Sequence, residues 1–188
     1  MNGGPENSEK LYRIDAGRSN FTVQAFAVGL LSFMGHNPAF AVRRYGGEVL
    51  FSDTMEPVSM LLAAQADTLA ILGRVSEKDL FEIENTMRGE VLETEIYPEI
   101  FFVSKNISIE RISERNFLAE IDGTMSLHGM VRRHVIAADA EINGELVRAR
   151  GEFVLRLSDY NIKPVKALGG TLKVKDEVEI SFDIVAQA

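Results

Sequence analysis

The sequence predicts an all-β fold, an antiparallel eight-stranded barrel with one helical insertion between strands. Three observations carry this. Long stretches alternate apolar and polar residues at period two, as strands with one buried and one wet face do. Phe117, Ala119, Ile121, Gly123, Met125 and Leu127, for example, alternate with Leu118, Glu120, Asp122, Thr124 and Ser126. Turn signals separate these stretches without any β-α-β rhythm, which points to antiparallel pairing. Only one segment has convincing helical spacing.

Residues 1–10 are small and polar with nothing to bury, so a disordered tail is expected before a single domain over 11–188. Tyr12 and Ile14 open a short strand, Asp15 to Ser19 turns, and Phe21, Val23, Ala25 and Ala27 form the apolar face of a longer strand. Val28 to Pro38 holds Leu30, Leu31, Phe33 and Met34 among two glycines and a proline, a loop apolar enough to cover or enter something. Ala39–Arg44 and Gly47–Ser52 read as a hairpin turned at Tyr45-Gly46-Gly47, because paired glycines supply the positive φ angles of tight turns. Val58 to Asp67 is a strand apolar on both sides at its middle, where Leu61 and Ala63 oppose Met60, Leu62 and Ala64. The segment after it is therefore expected to cover its outer face.

That segment contains the helix. Ser76 can cap it, Glu77 and Asp79 suit its positive start, and Leu80, Ile83, Met87 and Val91 recur at spacings of three or four. Gly89 is a point of interruption. After Pro98 the pattern is strand and turn throughout: 99–110, then 116–127 and 133–142 joined at Leu127-His128-Gly129-Met130, then a strand from Val147 to Ser158. Asn143-Gly144 is the strongest hairpin signal of the chain. The last strand sets Val178, Ile180, Phe182 and Ile184 against Glu177, Glu179, Ser181 and Asp183.

Composition removes several classes of function. A chain of 188 residues with 46% hydrophobic and 26% charged residues fits one globular domain. Its net charge of -8 repels nucleic-acid backbones and anionic lipid at long range, so nucleic acid is not expected as a partner. The apolar runs are far shorter than the ~20 residues of an integral membrane segment. A polar start without the basic and apolar regions of a secretory signal leads to an expected cytoplasmic location. The absence of cysteine removes disulfides, thiolate nucleophiles and Cys-based metal sites. There is no Gly-x-Ser-x-Gly elbow and no phosphate-binding glycine loop, so no enzymatic activity and no conventional cofactor are expected.

Barrels of this size are either filled by side chains or hold one small ligand. Small residues at Ala25, Gly123, Ala149 and Gly151 on the apolar faces favour a cavity. The candidate lining is Phe21, Val23, Leu62, Phe102, Ile121, Met125, Phe153, Leu155 and Phe182, with Phe33 and Met34 as a gate and His36 as the ligand-facing polar group. One alternative is a metal site built from His36 with His128 or His134, although the spacing matches no metal motif. In that comparison His128 is better read as hydrogen-bonding its turn. Another is a stress-related structural dimer with a filled core.

A series of landmarks in order carries a resemblance: Tyr12-Arg13-Ile14-Asp15, Gly46-Gly47-Glu48-Val49, Tyr97-Pro98-Glu99-Ile100-Phe101-Phe102, Leu127-His128-Gly129, Ser158-Asp159-Tyr160 and Asp176-Glu177-Val178-Glu179-Ile180. In these the chain resembles the YceI-like family of lipocalin-like polyisoprenoid-binding proteins. The resemblance implies a barrel that holds a long isoprenoid or quinone-like lipid in an apolar tunnel without catalysis. A long-chain hydrophobic small molecule is then the expected partner, with a homodimer as a further expectation.

Overall fold

The computed structural model describes residues 9–28, 37–163, 166–167 and 172–188. The strands are β1 (Lys10–Ile14), β2 (Asn20–Val28), β3 (Ala39–Val42), β4 (Tyr45–Phe51), β5 (Pro57–Gln65) and β6 (Leu69–Leu72). They continue with β7 (Glu99–Arg111), β8 (Asn116–Leu127), β9 (Met130–Asn143), β10 (Leu146–Arg156), β11 (Lys166–Ala167) and β12 (Leu172–Gln187). Pairing makes three long strands out of six short ones. β1 pairs β4 and β4 pairs β5, while β2 pairs β3 and β3 pairs β6. So β1 and β2, β3 and β4, and β5 and β6 lie end to end, each pair kinked at a short irregular link.

The result is a closed antiparallel barrel of eight long strands, sealed where Arg13 and Ile14 of β1 meet Gln187 and Ala186 of β12. Closure leaves no open edge at the seam. One edge of β12 pairs β10 from Leu146↔Gln187 to Arg156↔Glu177, and the other pairs β2 and then β1.

The expected hairpin at Tyr45-Gly46-Gly47 is corrected by this topology. These residues are inside β4, opposite Ala64, Ala63 and Leu62, and β3 does not pair β4. Gly47 is needed for close approach rather than for a turn, since a Cβ there would collide with the Leu61 carbonyl oxygen. The Asn143-Gly144 signal does mark a hairpin: Asn143 pairs Leu146 and Gly144 has φ 60°.

Alternation on β8 matches its burial, with Ala119, Ile121, Gly123, Met125 and Leu127 buried. On β9, Ile136 and Ala138 point inward while Val135 and Ala137 are exposed, so the faces separate more cleanly than the residue types suggest. On β7 the inward phase changes. Phe102 is buried, a register shift falls between Ser104 and Asn106, and Ile107 and Ile109 then join the core. A bulge of this kind inserts one residue and flips the faces beyond it. Ser104 Oγ accepts the Met60 N–H at 2.8 Å beside it.

The helix α1 (Glu77–Thr86) starts as expected, with the Asp79 N–H donated to Ser76 Oγ at 3.1 Å. It does not stop at Gly89 but passes into a wider π turn over Met87–Val91. It also does not cover the outer face of β5, where Leu61 is 40% exposed. Instead it packs by β6 and closes one end of the barrel interior. The opposite end is plugged by Tyr12, Phe51, Val147 and Ala186, with the Tyr12 and Phe51 rings edge to face at 4.9 Å.

Candidate ligand-binding interior

Between the plug and the helix, the inward side chains leave two apolar chambers. The larger, about 170 Å³, lies at the helix end. Its wall is drawn from β2, β3, β5, β6, β7, β8, β10 and β12, and Ile83, Met87, Val91 and Leu92 close it. Among the described residues of its wall only Thr86 carries a polar side chain. The smaller, about 90 Å³, lies toward the plug, against Ile14, Val49, Val147 and Ala186. Phe21, Leu62, Met125 and Phe153 line both and form the constriction between them. Apolar voids of this size remain dry and take up apolar guests.

The structure brings together nine of the sequence candidates. Val23 and Leu155 line the larger chamber, Phe102, Ile121 and Phe182 the smaller, and Phe21, Leu62, Met125 and Phe153 the constriction. Phe33, Met34 and His36 lie outside the described residues. Sequence reasoning missed the helix contribution, although the Ile83-Met87-Val91 stripe was visible and needed only the right target. It also missed Phe40, Val42 and Leu69, which are on strands too short to alternate clearly.

The small inward residues divide into two kinds. Ala25 lines the larger chamber and Ala149 the smaller. Gly123 and Gly151 do not make empty space: a Cβ on Gly123 would come 2.5 Å from Phe102 Cζ, and one on Gly151 2.7 Å from Phe182 Cζ. These glycines are the seats of two phenylalanine rings.

Polar chemistry gathers beside the chambers. His128, at φ 49° in the β8–β9 turn, has Nδ1 3.0 Å from the Tyr160 carbonyl oxygen and Nε2 2.7 Å from Glu93 Oε2. It therefore ties its turn to two other segments rather than bracing the turn alone. Tyr97 packs on the imidazole with ring centroids 4.5 Å apart, and Gly129 leaves room for the Tyr97 ring. Two family landmarks, Tyr97-Pro98 and Leu127-His128-Gly129, thus meet in a single contact.

His134 faces inward on β9, its Nε2 2.6 Å from the Tyr160 hydroxyl. Burial holds the imidazole below its ordinary value, with Asp159 opposing, and burial pushes the Tyr160 phenol up to about 12. Both shifts favour the neutral forms, so the phenol donates to a neutral imidazole. Neither histidine has a third metal-ligating neighbour, as no group of three His, Cys, Asp or Glu side chains converges among the described residues.

A closed antiparallel barrel with an apolar two-chambered interior defines a small-hydrophobe binding fold. The YceI-like domain model matches residues 12–186, and the chain belongs to the YceI-like family. BcnA of Burkholderia cenocepacia has a similar structure, with TM-score 0.70, 18% identity, and coverage of 93% of this chain and 99% of that one. So does a polyisoprenoid binding domain from Saccharophagus degradans implicated in plant cell wall breakdown, with TM-score 0.69, 13% identity, and coverage of 94% and 98%. The Campylobacter jejuni YceI protein follows with TM-score 0.58, 12% identity, and coverage of 78% and 82%. No curated protein sequence matches the chain.

Proposed function

We propose that this protein binds or carries a polyisoprenoid or other long-chain lipid, such as a quinone or its precursor, without catalysing a reaction on it. The observation that carries the reading is the pair of apolar chambers joined at Phe21, Leu62, Met125 and Phe153. The similarity to a domain described as polyisoprenoid binding supports the ligand class.

Energetics favour a long chain. Each buried methylene contributes roughly 0.8 kcal/mol, so about ten contribute about 8 kcal/mol. That is the same order as the estimated 4–15 kcal/mol lost in translational and rotational freedom on association. Short chains therefore bind weakly, and length rather than a polar anchor supplies affinity.

Mass spectrometry of organic extracts from the purified protein tests the reading. The expected result is a copurifying prenyl lipid, or uptake of one by stripped protein. Stripped protein that takes up neither prenyl lipids nor a hydrophobic dye would sink it. The metal reading gains no support, since both described histidine rings are engaged with Tyr160. The chambers likewise argue against a filled-core structural protein. A cytoplasmic location and a homodimeric state belong to the same proposal, to be read by cell fractionation and by light scattering.

A further inference from the structure

The net charge of -8 is unevenly spread. None of the 28 acidic residues falls within 16–47, 68–76 or 160–175, whereas Arg43, Arg74, Lys163, Lys173 and Lys175 do. These separated stretches are brought together by pairing. They supply β2, β3, β6 and the start of β12, which are neighbours in the order β12-β2-β3-β6. The end of the barrel wall built from these stretches is thus free of carboxylates, whereas β12 turns acidic from Asp176 onward, with Glu179 opposite Gln24 and Asp183 opposite Asn20 of β2.

The outer face of this sector combines cations with apolar groups. Lys173 of β12 pairs Val28 of β2, and the Lys175 ammonium is 5.7 Å from the Phe26 ring centroid. Phe26 and Val28 alternate with the buried Ala25 and Ala27, so they face outward, and Leu72 at the end of β6 is 39% exposed. Lys163, Lys173 and Lys175 are exposed and make no ion pair among the described residues. The acidic groups Glu77 and Asp79 are in the first turn of α1, which packs against both β6 and β11 and so borders this sector at the helix end. The inner face of the same sector, through Val23, Ala25, Phe40, Leu69 and Val174, is wall of the larger chamber.

We propose that the outer face where the start of β12 meets the end of β2, around Lys173, Lys175, Phe26 and Val28, is a docking surface for an anionic phospholipid bilayer. This rests on the lipid-carrier reading above and adds where a lipid is collected or delivered. Lysines attract an anionic surface within about 8–10 Å, which lets this sector approach while the acidic remainder of the barrel is held outward. Phe26 and Val28 then enter the interfacial region, and the larger chamber is one strand's thickness from the bilayer.

Vesicle flotation tests it, using phosphatidylcholine vesicles with and without phosphatidylglycerol. The full chain is expected to float only with phosphatidylglycerol, and less so as salt rises. A basic residue near such a surface is worth about a fivefold change in partition. Lys173→Gln with Lys175→Gln should therefore weaken binding about 25-fold, whereas Lys105→Gln on β7 should leave it unchanged. Phe26→Ser should weaken it too.

Failure to float at low salt, or equal flotation of the wild type and the double lysine variant, would overturn the proposal. So would loss in the lysine variant with none in Phe26→Ser, which would mark a simple polyanion site. Farnesol uptake from solution, measured on the same samples, reports on the interior independently. Flotation without uptake would remove the carrier reading and leave the docking surface standing.

Discussion

His128 and Glu93 are both non-glycine residues at positive φ, 49° and 45°, and they meet at 2.7 Å between Nε2 and Oε2. Left-handed backbone at such residues costs energy that surrounding contacts must offset. Here the contacts join the β8–β9 turn, the segment after the π turn and, through Nδ1, the Tyr160 carbonyl. The imidazole is thus a three-way tie beneath the larger chamber. His128→Ala removes both bonds and leaves a buried carbonyl without a donor, so a loss of about 1–3 kcal/mol is expected in urea unfolding. Glu93→Gln keeps an acceptor at a half-exposed position and should cost less than about 1 kcal/mol.

Two glycines should prove intolerant for steric reasons. A Cβ at Gly151 meets the Ala137 carbonyl oxygen at 2.5 Å and Phe182 Cζ at 2.7 Å, and one at Gly123 meets Phe102 Cζ and the Val103 carbonyl oxygen at 2.5 Å. Overpacking of this kind costs about 1–3 kcal/mol. Gly151→Ala with Phe182→Leu should recover only part of the loss, because the backbone oxygen remains. Full recovery would mean that the ring alone requires the glycine.

These glycines also mark how far the sequence could be read. The strict alternation of β8 and the Asn143-Gly144 hairpin are local patterns, so barrel strands and their order from β7 onward were legible. Whether an inward glycine is a void or the seat of a ring depends on a partner from another strand, Phe102 or Phe182. Gly46-Gly47 looked like a turn for the same reason: the Leu61 carbonyl that requires Gly47 is distant in sequence. The helix stripe was visible, but its target was chosen by proximity to β5, and topology directs it to the barrel end. Nine lining residues were readable because long strands alternate; Phe40 and Leu69 were not, being on four-residue strands.

The chamber can be narrowed without loss of fold. Ala25 lines the larger void, so Ala25→Leu places added methylenes in empty space and should leave the melting temperature unchanged or raised. Excluding about two methylenes of ligand, at roughly 0.8 kcal/mol each, weakens prenyl-lipid affinity about tenfold. Fluorescent prenyl-probe titration reads this. Unchanged affinity would place the ligand elsewhere.

Stability should fall on mild acidification. Burial holds the folded His134 below its ordinary 6.5, so the unfolded state binds more protons as pH drops through the imidazole range. That stability is fully present above 6.5 and is lost as pH falls toward the folded value. His134→Gln should flatten the pH dependence of urea midpoints between neutrality and mild acid. An equally steep profile in the variant would assign the effect to other groups.

The central claim is that one long apolar chain occupies both chambers. A crystal structure of the protein loaded with a polyprenyl lipid tests it most directly. The expected result is continuous tubular electron density from beneath Ile83 and Met87, through the Phe21–Phe153 constriction, toward Val147. Chambers that stay empty or hold ordered water under saturating lipid would contradict it.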